Sequence, residues 1–418
     1  MRKLVMAIAA LMLLPALGLV AQSSVKFSFW HVGTADVDRN YFQGVADAYM
    51  KAHPNVTIEI TVLENEAFKA KLATVLQSGN PPDLFQSWGG GVMKQQAEAG
   101  MLRDITKDVA GTAYGKTIGT GVEGVYQANG KQYGMPYDMG AVTFWYTKDF
   151  LAKVGYKTFP ATWADLLTLI GKLKAAGITP WSVGAADKWP THFIWTYLAI
   201  QLGGKAAFDA VLSGKGKFTD APFLKASQML ADLAKLKPFQ DGFLGTNFDN
   251  ESALVGNGKA AFDLMGQWGP GNTVSRSISG KGVGASLAMA PFPAVAGGVG
   301  KNSDVLGGGN GLAVGKNAPD AAIDFLKFLT NKDNNAAYAA MGRIIPVVIG
   351  ADAAITDANN KLVKSLVDKA TYYQLYLDQF FPPAVGGAIN DAVQTIVAGT
   401  ATPAQAVAAI QRAWEENK

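Results

Sequence analysis

Tryptophan rings placed beside carboxylates and amides are the side chains of this sequence that could do chemistry. Trp30 ends a predicted strand, Trp88 and Trp268 each follow one, and Trp189 opens a dense aromatic cluster between them in the chain. Such rings stack on the apolar faces of a pyranose, while Asp, Glu, Asn and His pair with its hydroxyls. The pattern therefore indicates a carbohydrate site. The predicted ligand contacts are Trp30, Glu64, Asn65, Trp88, Gly89, Tyr137, Asp138, Trp189, His192, Trp268, Gly308 and Asp378.

The aromatic candidates also have structural interpretations. Trp88 precedes three glycines, where a ligand or another backbone can approach closely, but it could instead be a core ring that ends its strand. Trp30 could pack between sheet and helix. Trp189 follows two charged residues, which predicts greater exposure than that of Trp195. Gly308 lies in a run of three glycines that allows close backbone approach.

The polar candidates have alternatives too. Asn65 could be the N-cap of the following helix rather than a ligand contact. Asp138 could cap local backbone, and Asp378 could lie on a solvated helix face. His192 is not expected to bind a metal, because the chain contains 3 His and none has a partner at ligand spacing.

A catalytic interpretation rests on paired carboxylates, since glycoside hydrolases also combine rings with two acids. Glu64 and Asp138 would be such a pair. The chain has no Cys, and the sequence shows no phosphate-binding loop, Ser-His-Asp order or zinc motif. We therefore expect a binding protein without catalytic residues, cofactor or metal, and keep a secreted hydrolase as the weaker alternative.

Alternating strands and helices would position these residues. Because this order is typical of a mostly parallel sheet, ligands are expected outside the carboxyl ends of the strands. The loops concerned begin near Trp30, Glu64, Trp88 and Tyr137. The predicted elements of this region are strands over 25–30, 56–63 and 83–87 and helices over 38–51 and 66–77.

Later segments follow the same logic. Thr162 with Asp165 predicts the start of a helix, and Thr402 with Gln405 forms a capping box for the final one. Further strands are predicted over 259–265 and 286–290, and an amphipathic helix over 318–329.

The first residues predict export. Arg2 and Lys3 precede an apolar run over 4–20, and Ala21 offers a small residue for cleavage, so 1–21 is interpreted as a signal peptide. A membrane anchor is the alternative, but no basic stop-transfer cluster follows. The absence of Cys removes the usual lipid attachment point. We therefore expect a free protein in the periplasm.

The charge balance excludes a nucleic-acid partner. The chain has 37 basic residues, and removing the two in the leader leaves 35 against 33 acidic ones, without a basic stripe. About 400 residues are enough for two domains that each bury a core.

Short blocks along nearly the whole mature chain resemble the family 1 extracellular solute-binding proteins, the receptors of carbohydrate ABC importers. The blocks are Phe29-Trp30-His31, residues 49–55, 80–84, 133–138, 143–150, 258–261, 266–268, 307–314, 321–330 and 342–346. One departure is Thr147, where the family usually has Asn. Residues 373–383, Asn390-Asp391 and 399–405 are similar to the subgroup that binds xylo-oligosaccharides and raffinose-like sugars.

The resemblance implies a type II two-lobed α/β fold that closes about a hinge, each lobe having a mostly parallel sheet flanked by helices. The crossings between lobes are expected after Asp138, near 291–293 and near Pro346. Lobe 1 is predicted to hold 22–138 and 292–345, and lobe 2 to hold 139–291 and 346–418.

The resemblance also implies the partners: a short oligosaccharide and the transmembrane subunits of an ABC permease, bound by a monomer. The family places a stacking ring at the position of Trp268, the subgroup a carboxylate at that of Asp378, and the family often uses that of Tyr137 and Asp138. Receptors for polyamines or iron remain the alternatives, although neither cleft acids nor clustered Tyr dominates here.

Overall fold

The first sheet is built by the strand-helix alternation that the sequence predicts. The computed structural model describes residues 23–119 and 122–418, so the predicted signal peptide lies outside the described residues. The strands lie in the order Val56–Val62, Val25–His31, Leu84–Ser87, Gly311–Val314 and Gly134–Pro136. The first three strands run parallel, and each of the last two is antiparallel to the strand before it.

Helices cover this sheet because their apolar faces match its buried rings. Phe42, Val45 and Tyr49 of the first helix are buried, as the spacing predicts, and Phe29 packs edge-on against Phe42. The helices of this lobe are Asp36–Ala52, Asn65–Gln77, Gly90–Glu98, Thr106–Val109, Asp320–Leu329 and Lys332–Ala340. A small hairpin pairs Gln127–Ala128 with Lys131–Gln132.

The second sheet differs from the mostly parallel one expected. Its order is Leu287–Ala290, Thr143–Thr147, Ala260–Met265 and Thr179–Trp181, and the strand Thr143–Thr147 is antiparallel to both neighbours. The chain enters this strand directly from the first lobe, so no helical crossover fixes its direction. Only Ala260–Met265 and Thr179–Trp181 pair in parallel within this sheet.

Long helices enclose the second sheet. Thr162 Oγ1 accepts from the backbone N–H of Asp165, and Thr402 forms the predicted capping box with Gln405. The helices are Lys148–Lys153, Trp163–Ala175, Trp189–Leu212, Ala221–Lys235, Phe248–Gly256, Gly269–Arg276, Ala358–Asp368, Leu377–Phe380, Pro383–Ala398 and Pro403–Asn417. One-turn 3-10 helices are Gly115–Thr117, Glu123–Tyr126, Ala185–Asp187, Phe243–Gly245, Gly284–Ser286 and Asp352–Ala354.

A third, three-stranded sheet joins the two lobes. Its order is Tyr372–Leu375, Asp304–Gly308 and Gly140–Ala141. Beside it, Asp138 forms a bridge with Pro346, and the Asn310 carbonyl accepts from the backbone N–H of Tyr137. Three stretches of chain therefore meet at one place, which is where a hinge of this fold must lie.

The segment around 291–308 packs differently from its predicted assignment to lobe 1. The Phe292 ring stacks on Tyr197 at 4.6 Å and on Trp163 at 5.6 Å, and both belong to the second lobe. The backbone N–H of Gly300 donates to the carbonyl of Gln201. These contacts favour a crossing just after Gly308 rather than near 291–293.

The second lobe buries two carboxyl groups close enough to interact. Asp263 is fully buried, and neither of its carboxyl oxygens has a hydrogen-bond partner among the described residues. Burial raises the pKa of Asp263 to about 8. Burial, and then the nearby Asp263, also raise the pKa of Glu251 well above its usual value. Both groups are therefore held protonated at neutral pH.

Asp263→Asn is expected to stabilise the protein at pH 7. The unfolded chain releases this proton above about pH 4, whereas the folded chain keeps it until about pH 8, so the wild type loses stability across that window. The neutral amide removes this loss, which is on the order of 2 kcal/mol or more.

Thermal unfolding at pH 4 and pH 7 measures the effect. The melting temperature should rise by several degrees at pH 7 and much less at pH 4, while the exposed control Asp241→Asn changes little at either pH. A lower melting temperature for Asp263→Asn at pH 7 would refute the assignment of a buried, protonated carboxyl.

Candidate ligand-binding site between the lobes

A cavity of about 150 Å³ lies between the two lobes, a volume that can enclose one six-membered ring. Its first-lobe lining consists of Val32, Gly33, Thr34, Ala35, Asp38, Phe42, Glu64, Asn65, Lys69, Trp88, Tyr137, Asn310, Tyr338, Arg343 and Ile344. Its second-lobe lining consists of Trp189, Phe193, Phe248, Asp249, Trp268, Asn272, Tyr376, Asp378 and Gln379.

Packed rings form the second-lobe wall. Trp268 lies edge-on to Trp189 with ring centroids 6.4 Å apart, and edge-on to Tyr376 at 6.1 Å. Phe248 and Phe193 support the Trp189 ring at 5.1 and 5.4 Å. Such contacts fix ring orientation, so the wall is an apolar surface prepared before ligand arrives.

Trp88 supplies the ring on the first-lobe side. It directly follows the strand Leu84–Ser87, and the next residue, Gly89, has φ +67°, which only glycine adopts readily. A Cβ at Gly89 would also collide with the Val125 carbonyl. The Trp88 ring is half-buried, and Lys69 Nζ lies 5.6 Å from its centroid.

Several polar atoms of the lining are buried without a hydrogen-bond partner among the described residues. They are Asn65 Oδ1, Trp189 Nε1, Arg343 Nη1 and Tyr376 OH. Trp189, Tyr376 and Arg343 are only 6–7 % exposed. An unpaired buried polar group costs roughly 1–3 kcal/mol, so this set calls for a ligand that both donates and accepts hydrogen bonds.

The charged groups of the lining, in contrast, are already in ion pairs, except Glu64, whose carboxylate caps a helix. Asp38 Oδ2 accepts from Arg343 at 2.6 Å, and Asp249 lies 2.9 Å from Arg276. Asp378 lies 3.7 Å from Lys69, which connects the lobes across the cavity. Because acids and bases of the wall neutralise each other, the site favours an uncharged polar ligand.

The N-cap of the second helix is Glu64 and not Asn65, the residue that the sequence offered for that role. Glu64 is the N-cap of the helix Asn65–Gln77, and its Oε2 accepts from the backbone N–H groups of Glu66 and Ala67. Asn65 is the first helical residue, which leaves its side-chain oxygen free. The N-cap interpretation of Asn65 is therefore wrong, and both residues line the cavity.

Most of the predicted contacts come together here, namely Glu64, Asn65, Trp88, Tyr137, Trp189, Trp268 and Asp378. Trp189 is more buried than expected, because the Phe193, Phe248 and Trp268 rings surround it.

Other predicted contacts do not line the cavity. The Trp30 ring packs on the first lobe with Lys71 Nζ 4.7 Å from its centroid. Gly89 faces Val125, and Gly308 makes room for the Tyr376 ring. Gly89 and Gly308 therefore act indirectly, because they allow the positions of Trp88 and Tyr376, whose side chains line the cavity.

His192 and Asp138 do not line the cavity either, and both are completely buried. His192 Nδ1 lies 2.7 Å from Asn390 Oδ1, and burial lowers its pKa, which keeps the ring neutral. Among residues 23–119 and 122–418, no group of three His, Cys, Asp or Glu could hold a metal ion.

Asp138 instead connects the crossing segments. Its Oδ2 accepts from Gln267 Nε2 at 2.7 Å and from Asn310 Nδ2 at 2.6 Å, and its Oδ1 accepts from the Ile345 backbone N–H at 3.3 Å. Burial raises the pKa of Asp138 to about 7, although these donors favour the ionised form. One carboxyl thus joins both lobes at the hinge.

The sequence did not single out several cavity residues. Asn272, Asn310 and Tyr376 carry polar atoms into the lining, yet none follows a predicted strand of the first sheet. Tyr376 lies two residues before Asp378, within a stretch that already carried the subgroup resemblance. Lys69 lies on a helix face, where a solvated Lys is the ordinary expectation.

A profile described as bacterial extracellular solute-binding protein matches residues 35–336. An uncharacterized ABC transporter extracellular-binding protein of Pyrococcus horikoshii is 27% identical over 256 residues, which are 60% of this chain and 57% of that protein. A probable sugar-binding periplasmic protein of Mesorhizobium japonicum is 25% identical over 364 residues, 84% of each chain.

Solved structures share the architecture. One, reported for xylan utilization by Caldanaerobius polysaccharolyticus, has a TM-score of 0.87 and 26% identity, covering 93% of this chain and 99% of that one. A chitin oligosaccharide binding protein has a TM-score of 0.84 at 22% identity, covering 94% and 99%. These likenesses confirm the two-lobed α/β fold.

Asp138→Ala is expected to destabilise the protein, opposite to Asp263→Asn. Alanine leaves the N–H groups of Gln267, Asn310 and Ile345 without their acceptor, at a cost of roughly 1–3 kcal/mol for each. The melting temperature at pH 7 should fall by several degrees. An unchanged or higher melting temperature would show that the Asp138 contacts do not hold the hinge.

Proposed function

We propose that this chain, which belongs to the family of bacterial extracellular solute-binding proteins, captures a short oligosaccharide between its lobes and delivers it to an ABC importer. One observation carries the sugar assignment. The cavity joins a wall of aromatic rings to buried, unpaired donors and acceptors, as the faces and hydroxyls of a pyranose require.

The proposed ligand contacts are the predicted residues that line the cavity. Trp88 on the first lobe and Trp268 on the second would hold the two sides of the sugar. Asn65 Oδ1 and Tyr376 OH would pair with hydroxyls, since each is buried without a partner among the described residues. A relative named as sugar-binding and a structural neighbour reported for xylan utilization support this ligand class.

The alternatives fit the cavity less well. A polyamine needs several unpaired acids, but Asp38, Asp249 and Asp378 have basic partners, and the remaining acid of the described lining, Glu64, caps a helix. Iron receptors favour clustered Tyr ligands, but the hydroxyls of Tyr137 and Tyr338 in this lining are already hydrogen-bonded to Gln86 and Asp38. Glu64 and Asp138 cannot serve as a hydrolase pair, because Asp138 is wholly buried behind the wall. The chain is a receptor and not an enzyme, as its family is.

The mechanism follows from the position of the rings. In an open state the two walls of the cavity are apart, because the lobes have rotated about the hinge. A sugar bound to one wall completes its contacts only when the lobes close and bring the other wall to it. Because the closed state binds more tightly, the ligand shifts the population towards closure. Closure is then the signal that the importer reads.

Location and partners belong to the same proposal. We place the protein in the periplasm after cleavage near Ala21, as a monomer that docks on the transmembrane subunits of the permease and binds no nucleic acid. Two relatives are named as extracellular or periplasmic binding proteins. No described helix is both long and apolar enough to cross a membrane.

A sugar panel tests the function. Xylotriose, raffinose, maltotriose and chitotriose, each beside its constituent monosaccharides, should include one that raises the melting temperature and changes Trp fluorescence. The sugar should be recovered intact by chromatography. Spermidine and ferric citrate are the matched competitors, and a response confined to them would contradict the sugar assignment, as would hydrolysis products.

Trp268→Leu and Trp30→Leu form a matched pair, because both rings are half-buried but only Trp268 lines the cavity. Loss of the Trp268 ring should weaken binding of the best panel sugar at least tenfold, about 1.4 kcal/mol. Trp30→Leu should stay within threefold. Titration calorimetry measures both, and equal losses would contradict the assignment of Trp268 to the binding wall.

A further inference from the structure

A second, larger groove of about 700 Å³ adjoins the cavity, and Ala35 and Arg343 line both. The groove is lined by residues 35–37, 39, 270–271, 274–276, 340–343 and 356–357. No aromatic residue lies in this lining, so the groove lacks the stacking surface of a sugar site. Two of its three arginines, Arg276 and Arg343, reach across the boundary between lobes.

The first arginine belongs to lobe 1. Arg343 is 7 % exposed, and its Nε and Nη2 donate to the two oxygens of Asp38 at 2.8 and 2.6 Å. Tyr338 OH also donates to Asp38, at 2.8 Å. Arg343 Nη2 then donates across the cleft to Asn272 Oδ1 of lobe 2, at 2.8 Å.

The second arginine belongs to lobe 2 and makes the same kinds of contact in the opposite direction, from lobe 2 to lobe 1. Arg276 pairs with Asp249 of its own lobe at 2.9 Å. Its Nη2 also donates to Thr34 Oγ1 of lobe 1 at 2.8 Å. Each guanidinium is thus paired with a carboxylate of its own lobe, and it also donates an N–H group to an uncharged oxygen on the other lobe.

We propose that Arg343 and Arg276 form a reciprocal latch, in which two positioning residues hold the lobes closed and thereby set the affinity for ligand. The inference deepens the proposed function and rests on it for the identity of the ligand. Because each charge is already paired within its lobe, the cross-cleft bonds form without burying a new unpaired charge. Closing therefore costs little desolvation, and opening leaves both ion pairs intact.

Gly271 is the part of the latch that admits Arg343. It lies in the helix Gly269–Arg276, and a Cβ at this position would overlap Arg343 Nη1. That overlap exists only while the guanidinium of one lobe is seated against the helix of the other. A methyl group at Gly271 therefore blocks the closed state, whereas Ala within a helix favours the fold of lobe 2.

Gly271→Ala is the test, with Gly44→Ala as its control, because Gly44 also lies in a helix and a Cβ there meets nothing within 4 Å. The probe is whichever panel trisaccharide binds the wild type most tightly. Its Kd should rise at least tenfold in Gly271→Ala and stay within twofold in Gly44→Ala. The melting temperature without sugar should not fall in either variant.

A double variant separates the latch from simple packing damage. Arg343→Lys keeps a charge beside Asp38 but removes the guanidinium that contacts Gly271. This single variant should therefore already weaken binding of the sugar. In that background Gly271→Ala should have less than a threefold further effect. Arg276→Lys should weaken binding three- to tenfold, because Lys lacks the planar guanidinium whose Nη2 contacts both Asp249 and Thr34.

Closure is also measured without any sugar. The chain has no Cys, so dyes placed on Lys51→Cys and Ile278→Cys, one on each lobe, report the interlobe distance by single-molecule energy transfer. Gly271→Ala should lower the closed fraction relative to Gly44→Ala. Equal closed fractions, an unchanged Kd, or additive effects in the double variant would each overturn the latch. Absence of binding to every panel sugar by the wild type would instead refute the proposed function.

Discussion

The buried carboxyl of Asp138 is the interaction on which the rest of the structure depends. It lies where three stretches of chain pass between the lobes, and it accepts hydrogen bonds from Gln267 of one lobe, Asn310 of the other and the backbone of Ile345. A single acceptor held by donors on separate segments fixes their relative positions while permitting rotation about them. The cavity walls therefore meet in one register whenever the lobes close.

From this pivot the chemistry of the cavity follows. Rings are anchored within each lobe, as Trp268 is by Trp189 and Tyr376, so their orientation does not depend on ligand. Except for Glu64, which caps a helix, the charges of the described lining are paired within one lobe or across the cavity, which leaves neutral donors and acceptors to select the ligand. The same holds for Arg343 and Arg276. Each is paired with a carboxylate of its own lobe, and an N–H group of each donates across the cleft. Recognition and closure thus meet at Arg343, which lines both the cavity and the groove.

Local signals predicted much of the secondary structure of both lobes and part of the site. Strand-helix alternation, the caps at Thr162 and Thr402, and rings at strand ends all act over a few residues, and the structure contains these elements. The direction of the strand Thr143–Thr147 was not predictable in this way, because it depends on how the chain enters from the other lobe. Nor was the burial of Asp138, since a carboxylate in a loop ordinarily faces water.

The sequence by itself determined the two-lobed receptor class and the supply of rings and polar groups near the strand ends, because periodicity, capping and family blocks are local properties. Only the tertiary structure decided which of those side chains share a cavity. Trp30 and Trp88 lie at the ends of neighbouring strands, yet packing turns one towards Lys71 and the other into the cleft. That choice depends on contacts among residues far apart in the chain, and so does the meeting of the two arginines across the groove.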